Sequence, residues 1–195
     1  MNNLLLASTS PTRRKILKEI NFKFICKKPL INEEREKEKI KNIKPETICQ
    51  LLAKKKSLYT SLKYKSYYVL GVDTCLIFKD KFLSKPKTKL EAKKMLNLLN
   101  GKEHKIYSSI YISKNNRKLW SYNDEAILKL KKLTAKEINI YIKKLKIKNM
   151  KSSGLYQIED IGITLFEKIK GSYFTILGLP LIPLLNFLKK RGIKF

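Results

Sequence analysis

A chain of 195 residues with 44 Lys and Arg against 16 Asp and Glu, net charge +28, has the length of one domain or of one domain with two lobes. At 43% hydrophobic and 31% charged residues it is neither disordered nor fibrous, and at this length it buries enough surface to fold without a metal or a disulfide. Three widely spaced cysteines (Cys26, Cys49, Cys75) exclude a disulfide framework and suit a reducing compartment, while a single histidine, His104, makes zinc or a Ser-His-Asp triad a poor reading.

Leu4–Ala7 reads as a short buried strand, too short for the apolar core of a signal peptide. Ser10-Pro11 then opens a helix with Ser at N-cap and Pro at N1, carrying Ile16, Leu17 and Ile20. Phe22–Cys26 is a second strand, and the alternating charges of Glu33–Lys41 read as a solvated face or loop. Pro45 begins a longer helix with Ile48, Leu51, Leu52, Leu58 and Leu62 roughly on one stripe. The apolar run Tyr67–Phe78 has the pattern of a central strand covered on both faces. Leu90–Leu99 is a helix closed by Asn100-Gly101.

Lys105–Ser113 and Lys118–Leu130 form a hairpin across Asn115-Asn116. Thr134 and Glu137 fit a capping box for a helix toward Leu145. A second hairpin, Gly162–Ile169 with Ser172–Leu177, is expected around Lys170-Gly171, and Leu181–Lys190 closes the chain as a helix. Gly171–Leu188 has 18 residues without a charge, but its two Gly, two Pro and Asn186 read as buried strand, turn and short helix. The mixture is α/β with a mixed sheet, in a soluble, cytoplasmic protein.

The charge has a plain explanation. Of the 44 cations 39 are Lys, and with 23 Ile and 13 Asn these three AT-rich codon families supply 75 of 195 residues. Nucleic-acid grooves draw on Arg as well, because its fork matches phosphate. The rival reading, a binding protein for nucleic acid or an anionic surface, rests on Ile127–Lys151, with nine Lys against one Glu and no RNA-reading signature.

Three places could carry chemistry. Ser8-Thr9-Ser10-Pro11-Thr12-Arg13-Arg14 leads from a strand into a helix start, where free N–H groups, the helix dipole and two guanidinium forks favour an anion; an ordinary capped helix is the alternative. Asp73 lies inside the most apolar strand of the first half. It must have a partner or a metal, or stand at the strand's mouth; it is a general base or Mg²⁺ ligand, or a satisfied structural Asp. Glu33-Glu34, Lys85-Pro86 and the island Gly154–Glu159 are weaker candidates, and His104 reads as structural.

These segments also resemble a known family in sequence order. Leu6-Ala7-Ser8-Thr9-Ser10-Pro11-Thr12-Arg13-Arg14 is similar to the LASxSPxR opening of the Maf family of nucleoside triphosphate pyrophosphatases. Gly71-Val72-Asp73-Thr74, Ser84-Lys85-Pro86, the block from Leu90 to His104, and Gly171-Ser172-Tyr173 through Gly178-Leu179-Pro180-Leu181 resemble its later motifs. The resemblance runs from Leu4 to about Gly192.

It implies a single domain over residues 1–195: a mixed, twisted central sheet flanked by helices, two lobes with a cleft between them. The implied activity is hydrolysis of nucleoside triphosphates, non-canonical or modified ones, to monophosphate and diphosphate, with a role in cell-division arrest. A divalent cation (Mg²⁺ or Mn²⁺) is implied as cofactor, and a homodimer as assembly. By position, Asp73 would be the proton acceptor and Glu33 a catalytic acid, the two also being the metal partners. Ser8, Arg13, Lys56 and Lys85 would surround the triphosphate. Thr12, Thr74 and Glu159 fall where subgroups differ in base: Thr74 matches the dTTP/UTP group, Glu159 the 7-methyl-GTP group, and Thr12 neither. Asn32 and Ser152 depart from the usual Asp and Lys. A catalytically silent regulatory member is the remaining alternative.

Overall fold

A computed structural model describes residues 3–38, 43–145, 155–156 and 158–193. The elements are β1 (Leu4–Ala7), α1 (Pro11–Glu19), β2 (Phe24–Lys27), α2 (Glu33–Glu38), α3 (Pro45–Lys63), β3 (Tyr68–Phe78), β4 (Lys81–Leu83), α4 (Lys89–Leu99), β5 (Glu103–Lys114), β6 (Arg117–Leu130), α5 (Ala135–Lys144), a 3₁₀ turn (Ile161–Leu165), β7 (Phe166–Lys170), α6 (Tyr173–Ile176) and α7 (Leu181–Lys190). The expected α/β class with a mixed sheet holds. Seven strands run in the order β2-β1-β3-β5-β6-β7, with β4 also on β3; β2 and β3 flank β1 in parallel, and the other pairs are antiparallel.

Local chemistry sets several of these elements. Ser10 caps α1 by accepting from the Arg13 N–H, and Thr134 and Glu137 make the full capping box on α5. Asn115 and Asn116 turn the β5–β6 hairpin with φ of 47° and 57°, the left-handed pair that a two-residue hairpin requires and that Asn tolerates.

The structure differs from the sequence reading in three places and decides between open alternatives in another, the charged stretch whose spacing is helical. Phe22 belongs to the turn before β2, which runs from Phe24 to Lys27. Part of the charged stretch expected as loop or solvated face is helix α2; Asn32 starts it, its Oδ1 accepting from the Arg35 N–H at 3.1 Å. The leucine stripe of α3 is only partly its buried face: Leu52 is buried, Ile48, Leu51 and Leu58 are half-buried and Leu62 is exposed, while Cys49, Ala53, Lys56, Ser57 and Thr60 are buried beside Leu52. The small side chains let α3 lie close to the sheet, with Ser57 Oγ donating to the Val69 carbonyl at 2.7 Å. Finally, Gly162–Leu177 is no hairpin. Gly162 lies in the 3₁₀ turn, β7 pairs with β6, and Tyr173–Ile176 is helical, so the run is spent on a turn and a short helix rather than on a partner strand. Among the described residues no helix is long and apolar enough to cross a membrane. Ser152, Gln157 and the Lys146–Lys151 end of the basic segment lie outside the described residues.

Two cores divide the long strands. Leu70, Val72, Ile110 and Ile112 pack with β1, α1 and α7, whereas Phe78, Ile106 and Leu128 pack with α4, α5 and Phe166. β3 and β5 pass from one core to the other, and the middle of β3 lies between them. That middle also has an open edge. On that side of β3, β1 pairs with Tyr68–Gly71 and β4 with Leu76–Phe78, so among the described residues Val72–Cys75 has no strand beside it.

Candidate active site

The gap at Val72–Cys75 opens into a cleft of about 700 Å³, within the range of small-molecule sites, roughly 300–1,000 Å³. Strand alternation sends neighbouring residues to opposite faces: Asp73 toward α3 and Thr74 toward α1. Because the edge is open, both also line the cleft.

On the α3 side, Lys56 is 5% exposed, and its ammonium donates to Asp73 Oδ1 at 2.6 Å and pairs with Glu33 Oε2 at 2.9 Å. Asp73 is 7% exposed, so this partner answers the question its apolar strand raised. Glu33 arrives at the N-terminus of α2, which is tied to α3 by an ion pair between Glu36 and Lys55. Lys56, expected beside the triphosphate, thus holds the two candidate carboxylates together.

On the α1 side, Arg13 is similarly committed. Its Nε donates to the Gly178 carbonyl at 2.8 Å, one terminal nitrogen to the Val72 carbonyl at 3.0 Å and Ser8 Oγ at 3.3 Å, and the other to Thr74 Oγ1 at 2.9 Å. The guanidinium ties α1, β3 and the turn after α6 into one wall. Burial lowers its pKa and Asp73 partly restores it. Ser8 Oγ also accepts from the Ser10 N–H at 3.2 Å, which folds the β1–α1 connection inward.

Lys85 follows β4 and completes the rim. Desolvation first and Arg13 second push its ammonium down to about 8, although the residue keeps much of its surface in water, which screens part of that push. Thr12 and Glu159 line the cleft as well, and Glu159 is held by Lys15 of α1 at 3.6 Å. All nine candidate residues therefore border one cleft: Ser8, Thr12, Arg13, Glu33, Lys56, Asp73, Thr74, Lys85 and Glu159. The reading gave no site role to Gly178, which stands in one of the quoted motifs, or to Ser108, which has neither charge nor motif to reveal it; both bond the site's side chains. His104 is buried beside Tyr156 and Phe166, with burial pushing its pKa down to about 4, and it lies outside the cleft lining. The three cysteines are free thiols, and burial pushes Cys49 well up.

Four cations (Arg13, Lys56, Lys85, Lys87) face three carboxylates (Glu33, Asp73, Glu159) in the cleft. One net positive charge does not neutralise a triphosphate. The described residues hold no group of three or more His, Cys, Asp or Glu, so they form no all-protein metal cage. Two carboxylates do fit Mg²⁺, which is bound by one or two carboxylates together with water and substrate phosphate.

A nucleoside triphosphate pyrophosphatase of Pelagibacter ubique is 36% identical over 191 residues, covering 97% of this chain and 98% of its own. 7-methyl-GTP pyrophosphatases of Rhizobium etli and Bartonella quintana are 34% and 36% identical, covering 97% and 98% of this chain and 96% and 97% of theirs. Among solved structures, the Ham1 protein of Staphylococcus aureus aligns over 66% of this chain and 72% of its own at 14% identity and a TM-score of 0.39, too slight a likeness to bear on the fold. The profile of Maf-like proteins matches residues 3–191: the chain belongs to the Maf family.

Proposed function

We propose that this protein hydrolyses nucleoside triphosphates to the monophosphate and diphosphate, with Asp73 as the proton acceptor. The observation that carries the reading is the buried Lys56 holding Asp73 and Glu33 at the open edge of β3, in a cleft rimmed by further cations. Water attacks the α-phosphorus, its proton passes to Asp73 Oδ2 or Oδ1, and the α–β phosphoanhydride bond breaks with both electrons on the departing diphosphate. Lys56 orients the carboxylate, and Lys85, Ser8 and the remaining Arg13 N–H stabilise charge on the phosphates. Asp73 and Glu33 would hold a divalent cation, Mg²⁺ or Mn²⁺, which when bound supplies the phosphate neutralisation that one net protein charge leaves incomplete.

Glu159, with Thr12 and Thr74 near it, sets the base. A carboxylate accepts from the N–H groups of a guanine edge, and the relatives named 7-methyl-GTP pyrophosphatases make that modified nucleotide the first to test. One unit over residues 1–195, a homodimer, a cytoplasmic setting and a link to cell-division arrest complete the reading; length and the widely spaced cysteines support the first and third, and the family resemblance supplies the others.

The test is diphosphate release from canonical and modified triphosphates with Mg²⁺ or Mn²⁺, beside Asp73→Asn. The variant should fold and lose about 10²–10⁴-fold in kcat, the contribution of a positioned general base. Full turnover by Asp73→Asn refutes the mechanism, and a base preference unmoved by Glu159→Gln refutes the specificity assignment.

A further inference from the structure

Behind the cleft wall lies a chain of hydroxyls that the reaction above does not use. Ser108, on β5, is fully buried and opposite Thr74 in the β3–β5 register. Its Oγ donates to the Thr175 carbonyl of α6 at 2.9 Å and lies 2.9 Å from Thr74 Oγ1. A carbonyl has no hydrogen to give, so the single Ser108 hydrogen is spent on Thr175. In the other contact Ser108 therefore accepts and Thr74 donates. Thr74 in turn accepts from Arg13 at 2.9 Å. The hydrogens run one way: Arg13 to Thr74 to Ser108 to Thr175. The Thr175 hydroxyl is bonded to the Asp124 carboxylate of β6, the residue paired with Ser108 across the β5–β6 register.

We infer that Ser108 is a positioning residue of the cleft: its hydroxyl sets the direction of the Thr74 hydroxyl, and through it the seat of the Arg13 guanidinium. The kinetic consequence rests on the proposed hydrolysis; the placement of Arg13 does not. Without the Ser108 hydroxyl, the Thr74 hydrogen has one other acceptor within reach, the Gly178 carbonyl at 3.4 Å, which already accepts Arg13 Nε at 2.8 Å. The two donors then compete for the group that anchors Arg13. The Thr175 carbonyl also loses one of its donors, keeping the Gly178 N–H at 3.0 Å, and α6 loses a tie to β5. Four of the five Arg13 N–H groups are occupied by protein, so Arg13 acts first as a frame and presents a single N–H to the cleft.

The experiment compares wild type, Ser108→Ala and Ser108→Thr by solvent exchange of the ¹⁵N-labelled Arg13 Nε–H, assigned with Arg13→Lys, and by steady-state diphosphate release. Exchange should be slow in wild type and Ser108→Thr and at least about tenfold faster in Ser108→Ala, the effect of losing one buried hydrogen bond. For the triphosphate, KM should rise about tenfold in Ser108→Ala with kcat nearly unchanged, whereas a merely structural loss would lower the melting temperature and the active fraction with KM intact. Unchanged Nε–H exchange in folded Ser108→Ala overturns the inference, whatever the kinetics. If Ser108→Ala does not fold, Thr74→Val breaks the same chain at its middle and must give the same faster exchange, or the inference falls. If wild type releases no diphosphate from any triphosphate, the proposed function falls, and the exchange comparison still decides the role of Ser108.

Discussion

Lys56 and Lys85 show how two lysines of one cleft take different parts. Lys56 is buried with two carboxylates on its ammonium, while Lys85 faces solvent on one side and Arg13 on the other. For Lys85 the folded-state pKa, about 8, lies below its ordinary 10.5, so the amine is a cation below about pH 8 and loses its charge as pH rises through that value. Binding of a polyanion in the free enzyme should weaken across the same range. The kcat/KM profile for the triphosphate is therefore expected to fall above about pH 8, and Lys85→Arg, charged throughout, should remove that limb. A falling limb that persists unchanged in Lys85→Arg would assign it to another group. The stability sign is the opposite one: the unfolded chain binds the proton between about 8 and 10.5 and the folded chain does not, so this group's destabilising contribution is relieved as pH rises through that window.

At the scale of elements, the close packing of α3 on β3 brings Lys56 to Asp73. Gly71 allows it, because a Cβ there would stand 2.2 Å from the Ala53 carbonyl oxygen and 2.6 Å from the Ser57 nitrogen, both backbone atoms of α3. Neither can rotate aside, so Gly71→Ala must push the helix off the strand. Such overpacking costs about 1–3 kcal/mol, which for a chain of this size lowers Tm by roughly 2–12 °C. Activity should fall with it, since the Lys56–Asp73 contact spans the displaced interface. A Gly71→Ala protein that melts like wild type would show that α3 has more freedom than its buried serines imply. The leucine pattern of α3 misled for the same reason: a helix this close to a sheet buries small and hydroxyl side chains, and its larger apolar residues turn partly outward.

For the whole molecule the question is what a net charge of +28 contributes. The excess of Lys, Ile and Asn matches AT-rich codon usage, yet a field of one sign still raises the local concentration of a polyanion whatever its origin. The cleft itself has only one cation in excess, so most of this attraction is long-range and is screened within about 10 Å at 0.1 M salt. Raising salt from about 0.05 to 0.5 M should increase KM for the triphosphate several-fold with kcat nearly constant. A KM independent of salt would mean that the surface lysines are bystanders and that binding is decided inside the cleft.

The sequence by itself determined the elements whose cause is local: the Ser10-Pro11 helix start, the capping box of Thr134 and Glu137, the Asn115-Asn116 turn and the apolar β3 with its one conspicuous carboxylate. Each depends on residues within a few positions of one another. It also indicated the residues of the site, because five short motifs in order outweigh any one of them. What only the tertiary structure decided is how those residues are used. The open edge of β3 arises because β1 ends at Ala7, opposite Gly71, and β4 ends at Leu83, opposite Leu76, a matter of strand pairing across the sheet. Lys56 meets Asp73 and Glu33, and Arg13 spends its donors on Gly178, Val72 and Thr74, across separations of up to 165 residues. Ser108, an ordinary serine in a strand, gains its place from a carbonyl 67 residues away. Hydrogen-bond partners at such distances are chosen by packing, and packing is not written in any local pattern.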